Sequence, residues 1–119
     1  MDYSQLSDFE INRLVARAID GLHGDDRTAC DCYLSADIGS AIKIPDGDIG
    51  WITLDYCNNA ADAWPIIVDN KINIRFGAEG MACEAQFIQY GHESVEFYHG
   101  NPLRAAMIVF LMMQDAKHA

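Results

Sequence analysis

The chain has 119 residues, half of them apolar, and carries a formal charge of −10 at pH 7. This length and composition predict a single globular domain over residues 1–119 and exclude an intrinsically disordered chain. The excess of acidic residues repels nucleic acid from most of the surface, so no direct nucleic-acid partner is expected.

The first predicted element is a helix that begins at Ser7. Ser7 and Glu10 have the spacing of a capping box, in which each residue satisfies a backbone or side-chain group of the other. Apolar residues then recur every three or four positions as far as Leu22, which indicates an amphipathic helix. Gly21 and Gly24 are expected to end it.

The sequence of the next part of the chain predicts an irregular segment followed by a β-hairpin. Residues 24–40 are rich in acids and small residues and show no regular period. Two strand-like runs, residues 41–45 and 49–54, flank the turn sequence Asp46-Gly47-Asp48. Pro45 restricts its arm of the hairpin to a strand end or a sheet edge.

A second helix is predicted within Tyr56–Asn70, with two alternatives for its start. If Asn58 or Asn59 caps the helix, Pro65 falls inside it and the helix must kink. If Asp62 is the cap, Pro65 lies in the first turn, where its missing N–H costs nothing. The sequence leaves both alternatives open.

Three short segments in which apolar and polar residues alternate predict strands at residues 72–76, 81–87 and 94–98. Because the connections between them are short, the strands are expected to form an antiparallel meander. The predicted fold class is therefore α+β, with a three-stranded antiparallel meander packed with three helices, plus the extra β-hairpin.

The last helix is expected to start at Asn101 as cap, with Pro102 in the first helical position. Between Leu103 and Met113 only Arg104 is polar, so the helix is apolar on every side. This run is about half the ~20 residues that cross a membrane, which predicts a buried helix and no membrane partner. A helix of this kind must be covered on several sides, either between the sheet and other helices or by its copy across a dimer. Because its apolar surface exceeds what one face of a small sheet covers, a homo-oligomer is expected.

The cysteines are Cys30, Cys32, Cys57 and Cys83. The polar, acidic start of the chain does not resemble a secretion signal, so a reducing compartment and free thiols are expected. The C-x-C spacing is not that of a usual zinc pair, and neither a metal nor a cofactor is predicted, although the role of residues 24–52 and metal binding by Cys30 and Cys32 stay open. No catalytic signature is present, which predicts a protein that is not an enzyme.

The amino-terminal end of the last helix is the candidate ligand site. Unpaired amides and the helix dipole favour an anion there, and an arginine such as Arg104 binds phosphate or carboxylate through two hydrogen bonds. The predicted ligand-binding residues are His99, Asn101, Arg104, Trp64, Tyr98 and Asp62. The alternatives are an ion pair of Arg104 with Asp62 or Glu96, and a Trp64 that anchors the second helix in the core.

Three stretches of the chain resemble a known family: Tyr3–Asn12, Tyr56–Val68 and Asn101–Phe110. The chain resembles the NinX family of small proteins encoded by lambdoid bacteriophages and, more distantly, the phage ABA sandwich domain. The resemblance implies an ABA-sandwich-like fold and a phage accessory protein in the cytoplasm of a bacterial host. It implies no established reaction, and residues 25–52 lie outside it.

Two function hypotheses follow from these observations. In the first, the protein interferes with host antiviral processes by sequestering a small anionic ligand such as a signalling nucleotide. In the alternative, it is an acidic protein–protein inhibitor or DNA mimic that binds a basic host factor. The alternative depends on the ten aspartates from Asp20 to Asp69, a charge that also keeps a protein soluble without any partner.

Overall fold

A computed structural model of the chain describes residues 2–19, 34–35, 41–45 and 51–117. A short 3-10 turn precedes the first of three helices, and these elements are the turn Tyr3–Gln5, α1 Asp8–Ile19, α2 Ala60–Asp69 and α3 Pro102–Lys117. Within these residues, no helix is both long and apolar enough to cross a membrane.

The strands within the described ranges form two antiparallel sheets of three strands each. The first sheet has the order β1-β2-β3, and its strands are β1 Leu34–Ser35, β2 Ile42–Pro45 and β3 Trp51–Leu54. The second has the order β4-β5-β6, and its strands are β4 Asn73–Arg75, β5 Cys83–Phe87 and β6 Val95–His99. The predicted α+β class, the meander, the three helices and the pairing of the hairpin arms are confirmed.

Some sequence predictions fall on residues that the structure does not describe. The expected end of the first helix at Gly21 and Gly24, the turn at Asp46–Asp48 and the pair Cys30 and Cys32 lie outside the described residues. Both arms of the hairpin are described, and Pro45 pairs with Trp51 in the antiparallel register of β2 and β3. Pro45 is the last residue of its strand, as its missing N–H requires.

Helix α1 begins with the predicted capping box. The amide of Glu10 donates to Ser7 Oγ at 3.1 Å, and Ser7 Oγ donates to Glu10 Oε1 at 3.1 Å. Both partners lie within one turn of sequence, so this feature depends on no tertiary contact.

Helix α2 begins as the first of the two alternatives predicts, with an asparagine cap before Ala60. Asn59 Oδ1 accepts the amide of Ala61 at 2.9 Å, which makes Asn59 the cap. Pro65 therefore lies inside the helix and cannot donate to the carbonyl one turn before it. At the other end, Lys71 adopts a left-handed φ of 57°, and the amide of Ile72 donates to the Ile67 carbonyl at 3.0 Å. This closing pattern is that of a Schellman cap.

Helix α3 is the centre of the molecule. It contacts β5 and β6 on one side and α1 and α2 on the other, and every residue from Arg104 to Leu111 is buried. Ala105 and Ala106 are fully buried, and their small side chains let the neighbouring elements approach closely. A single chain thus already covers the apolar helix. An oligomer was expected because one chain was thought unable to cover this helix, and that reason is wrong. Oligomerisation stays a prediction without that support.

Tyr3 connects the start of the chain to the end of α3. Its ring is buried, and its hydroxyl donates to a carboxylate oxygen of Asp115. Burial, together with this neighbouring carboxylate, raises the pKa of Tyr3 above its ordinary value of 10.0. Because the folded-state pKa is raised, the stabilisation from Tyr3 is complete below the unfolded pKa and is lost as the pH rises above it.

We expect Tyr3→Phe to lower the free energy of unfolding at neutral pH by about 1 kcal/mol, since Asp115 loses a donor. The variant should also lose less stability than the wild type between about pH 9 and about pH 11. Urea denaturation at several pH values measures both effects. Tyr90→Phe is the control, because Tyr90 is fully exposed. An alkaline decline that is equally steep in Tyr3→Phe and wild type would contradict the assignment.

Candidate functional site

Asn101 closes the amino-terminal end of α3. Its Oδ1 accepts the amides of Leu103 at 3.0 Å and Arg104 at 3.3 Å. Its Nδ2 donates to the Cys57 carbonyl at 2.7 Å and to Asn58 Oδ1 at 3.0 Å. The predicted cap is confirmed, and the amides of Leu103 and Arg104, which an anion at this end would need, already have a protein partner.

Arg104 is buried, with 7% of its surface exposed. Its Nη1 lies 2.6 Å from Asp8 Oδ1, and its Nη2 donates to the Leu6 carbonyl at 2.7 Å and the Ser4 carbonyl at 3.5 Å. Its Nε is buried without a hydrogen-bond partner in the described part of the chain. The guanidinium charge is therefore neutralised inside the fold and is not presented to solvent.

Asp8 takes the position at which a ligand anion was expected. It lies in the first turn of α1, and it contacts an arginine in the first turn of α3. Its second oxygen, Oδ2, accepts the side-chain amide of Asn58 at 3.1 Å. A carboxylate between two positive helix ends and a guanidinium is electrostatically favourable, so the anion at this end belongs to the chain itself.

A buried asparagine extends this network towards α2. Asn12 Nδ2 donates to Asp55 Oδ1 at 2.9 Å, and Asn12 Oδ1 accepts the amide of Cys57 at 3.0 Å. The amide of Asp55 in turn donates to Asp62 Oδ2 at 2.9 Å. We call the connected residues the polar junction, and its members are Asp8, Asn12, Asp55, Asn58, Asp62, Asn101 and Arg104.

The three stretches that carry the family resemblance meet in the polar junction. Tyr3–Asn12 contributes Asp8 and Asn12, Tyr56–Val68 contributes Asn58 and Asp62, and Asn101–Phe110 contributes Asn101 and Arg104. Each side chain donates to or accepts from another element of the fold. The shared motifs therefore correspond to a structural junction in which buried polar groups must be paired.

The predicted site residues are brought together only in part. His99 Nδ1 accepts the amide of Asn101 at 2.9 Å, so His99, Asn101 and Arg104 do lie at one end of α3. Tyr98 is the cross-strand neighbour of Glu84 on the other face of the sheet. Its hydroxyl lowers the pKa of that carboxyl through a hydrogen bond. Trp64 is 61% exposed on α2, so it is neither a core anchor nor, in any described contact, a neighbour of Arg104.

The proposed ion-pair alternatives for Arg104 were also wrong, because its partner is Asp8 and not Asp62 or Glu96. Asp8 is the residue that sequence reasoning missed. It lies 96 positions from Arg104, and no local pattern connects the two. The only signal available was its place in the first turn of a well-capped helix.

The described thiols show no sign of activation. Cys57 and Cys83 are free and buried, as a reducing compartment predicts. Burial, and then the nearby carboxylate of Asp8, raises the pKa of Cys57, which keeps it a thiol rather than a nucleophilic thiolate. No group of His, Cys, Asp and Glu within the described ranges has the arrangement to hold a metal ion.

An apolar groove opens elsewhere, between α2 and β4, with a volume of about 520 Å³. Its exposed apolar side chains include Trp64 and, at 73% exposure, Phe76. We call this surface the Trp64 groove, and its lining residues are Trp64, Ile67, Val68, Lys71, Ile72, Asn73, Ile74, Phe76 and Ile88. Strand β4 is an edge strand of its sheet. An edge strand beside an apolar groove is a surface on which another chain can pair and pack.

Comparison with known proteins agrees with this fold. A family model described as "Bacteriophage P22, NinX" matches residues 2–114. No curated protein matches the chain. The 2.0 Å crystal structure of a phage protein from Bacillus cereus ATCC 14579 is similar, with 15% identity, a TM-score of 0.62 and coverage of 92% of this chain and 89% of that chain. At this identity the likeness shows the fold alone. Because the family model spans nearly all of the sequence, the chain belongs to the family of bacteriophage P22 NinX.

Proposed function

We propose that this chain is a phage accessory protein that works by binding a host protein and catalyses no reaction itself. Membership of the NinX family supports the accessory role in a phage. The observation that carries the binding role is the Trp64 groove, an apolar surface that the described part of the chain leaves open. The proposed place of action is the cytoplasm of the bacterial host, and the proposed target is a protein of antiviral defence.

The composition of the groove suits a protein partner. Soluble monomeric proteins rarely expose large contiguous apolar patches, and the patches that do occur often mark protein–protein interaction sites. Tryptophan is enriched among the residues that carry most of the binding energy at such contacts. The edge strand β4 adds backbone donors and acceptors beside the apolar side chains, which an extended segment of a partner would use.

The net charge favours a basic host protein over a second copy of this chain as the occupant. Two copies would each bring a charge of −10, and their repulsion opposes association. A basic protein gains from the same field, chiefly through faster association at low salt. Among the residues that line the groove, only Lys71 is charged. The groove would therefore bind apolar side chains of the partner, while the acidic remainder of the surface would attract its basic charge.

We expect Trp64→Ala to weaken binding of the host protein by about 30-fold, or roughly 2 kcal/mol, since the anchor of the contact is removed. The tagged chain would be used to capture proteins from a bacterial lysate, and the captured protein would then be titrated in purified form. Tyr90→Ala is the matched control, because Tyr90 is a fully exposed aromatic residue outside the groove.

The partner should be basic, and its affinity should fall as salt increases. Capture that is equally strong with Trp64→Ala and wild type would contradict the role of the groove. A purified protein that dimerises, and becomes monomeric with Trp64→Ala, would show that the groove holds a second copy and would overturn the proposal.

The rival hypothesis, capture of a small anion at the amino-terminal end of α3, has less support. A ligand there would have to displace the Asp8 carboxylate from Arg104 and the Asn101 side chain from two amides. Displacing a partly buried charge that is already paired costs several kcal/mol. If small-ligand capture is part of the function, another region of the surface must provide the site.

A further inference from the structure

We propose that a pocket at the opposite, carboxyl-terminal end of α3 binds a small organic anion with a flat apolar body. This inference does not rest on the proposed binding of a host protein. The pocket has a volume of about 610 Å³ and lies where the ends of α2 and α3 meet the end of β5 and the start of β6. A volume of this size is within the range of roughly 300–1,000 Å³ that small-molecule sites occupy.

The pocket combines an apolar lining with basic side chains. Phe87, Val95 and Met113 provide the apolar surface. Lys71 and Lys117 also line the pocket, although the whole chain has only three lysines. In a molecule with a charge of −10, such a concentration of lysine around an apolar cavity is unexpected from composition alone.

The lysine and aspartate side chains that line the pocket have an excess of positive charge. Asp69 is the one carboxylate among the lining residues, and His92 adds a further titratable group. Within the described ranges, neither Lys71 nor Lys117 forms an ion pair, and Asp69 does not neutralise them by direct contact. Within these ranges, no carboxylate competes by direct contact with a phosphate or carboxylate ligand for the two lysine side chains.

A simpler explanation for the lysines is that they offset the negative ends of two helix dipoles. For α2, backbone amides already serve the last carbonyls, because Asn70 donates to Ile66 and Ile72 donates to Ile67. Lys71 also has a φ of 57°, which lies in the left-handed region that favours glycine over residues with a Cβ. Lys71 is therefore not needed to cap α2 and occupies a position that suits glycine. A role of its side chain in binding a ligand explains why a lysine is found there.

The experiment uses the full chain with adenosine 5′-monophosphate as the probe, because this molecule joins a flat ring system to a phosphate. Adenosine and inorganic phosphate are titrated separately by calorimetry. We expect the monophosphate to bind at one site, and each half of the molecule to bind at least tenfold more weakly. Trp64→Ala should leave this binding unchanged, which separates the pocket from the proposed protein contact.

Charge reversal at the pocket provides the decisive comparison. Lys117→Glu should weaken binding of the monophosphate at least fivefold, and Lys71→Glu should act in the same direction. Lys43→Glu makes the same change in net charge on β2, outside the pocket, and should leave the affinity within twofold of wild type. Absence of binding by the monophosphate, or equal losses for Lys43→Glu and Lys117→Glu, would overturn the proposal.

Discussion

Arg104→Met is expected to lower the free energy of unfolding by about 3 kcal/mol. Methionine fills much of the volume of arginine, but it removes the donor that Arg104 supplies to Asp8 Oδ1 and to the Leu6 carbonyl. The Arg104 side chain is buried, whereas that of Asp8 is 29% exposed, so water can solvate part of the abandoned carboxylate. The expected loss therefore lies at the low end of the range for a broken buried pair.

Urea denaturation of both proteins at neutral pH measures this loss. Arg75→Met is the matched control, because Arg75 is 80% exposed and lies 3.7 Å from Glu84. This control should unfold with the wild-type midpoint, as exposed ion pairs contribute little. In the double variant with Asp8→Asn, the losses should be smaller than the sum of the two single losses. If Arg104→Met were as stable as Arg75→Met, the assignment of Arg104 to the interior would be wrong.

Asn12→Asp is expected to have the larger effect, about 4 kcal/mol at neutral pH. The two side chains have nearly the same shape, so packing is preserved. The Nδ2 that donates to Asp55 is replaced by an oxygen, and a second negative charge is placed in a fully buried position. The polar junction then contains two carboxylates in contact where one amide and one carboxylate were paired.

The loss in Asn12→Asp should depend on pH in a defined direction. Burial and the neighbouring carboxylate raise the folded-state pKa of the new carboxyl above its unfolded value of about 3.9. The deficit relative to wild type should therefore be small near that pH and grow as the pH rises. Urea denaturation between about pH 4 and about pH 7 tests this slope. Asn58→Asp, at an exposed position of the same network, should lose less. A deficit in Asn12→Asp that is constant across this range would contradict the arrangement.

The features that sequence reasoning predicted correctly are those that depend on neighbours a few positions away. The capping box of Ser7 and Glu10 and the cap at Asn101 need only the geometry of one helical turn. The strands follow from an alternation of period two, and the buried last helix follows from its uniform apolar composition. The NinX resemblance rested on contiguous motifs, and the family match over residues 2–114 confirms it.

The features that were missed depend on distances between parts of the chain that are far apart in sequence. The expected ion-pair partners of Arg104 were wrong because Asp8 reaches Arg104 across 96 positions. Asp62 accepts the amide of Asp55, Trp64 is exposed on α2, and Tyr98 alternates with His99 along β6 and so faces the other side of the sheet. A homo-oligomer was expected from the apolar surface of the last helix considered alone, and it stays a prediction without that support, because β4, β5, β6, α1 and α2 all contact this helix.

By itself, therefore, the sequence determined most of the described elements, their order and the apolar core that holds them, because local backbone preference and hydrophobic period act within each segment. The exception is β1, Leu34–Ser35, which lies in a stretch that was predicted to be irregular and which pairs with β2. Only the tertiary structure decided which polar groups are paired inside and which apolar groups stay open. Whether the charge of Arg104 is neutralised depends on which residue folds against it, and here that residue is Asp8. Whether Trp64 is exposed and whether Lys117 lines a pocket likewise depend on which elements pack beside them. A binding surface is what remains after packing, and packing is a property of the whole chain.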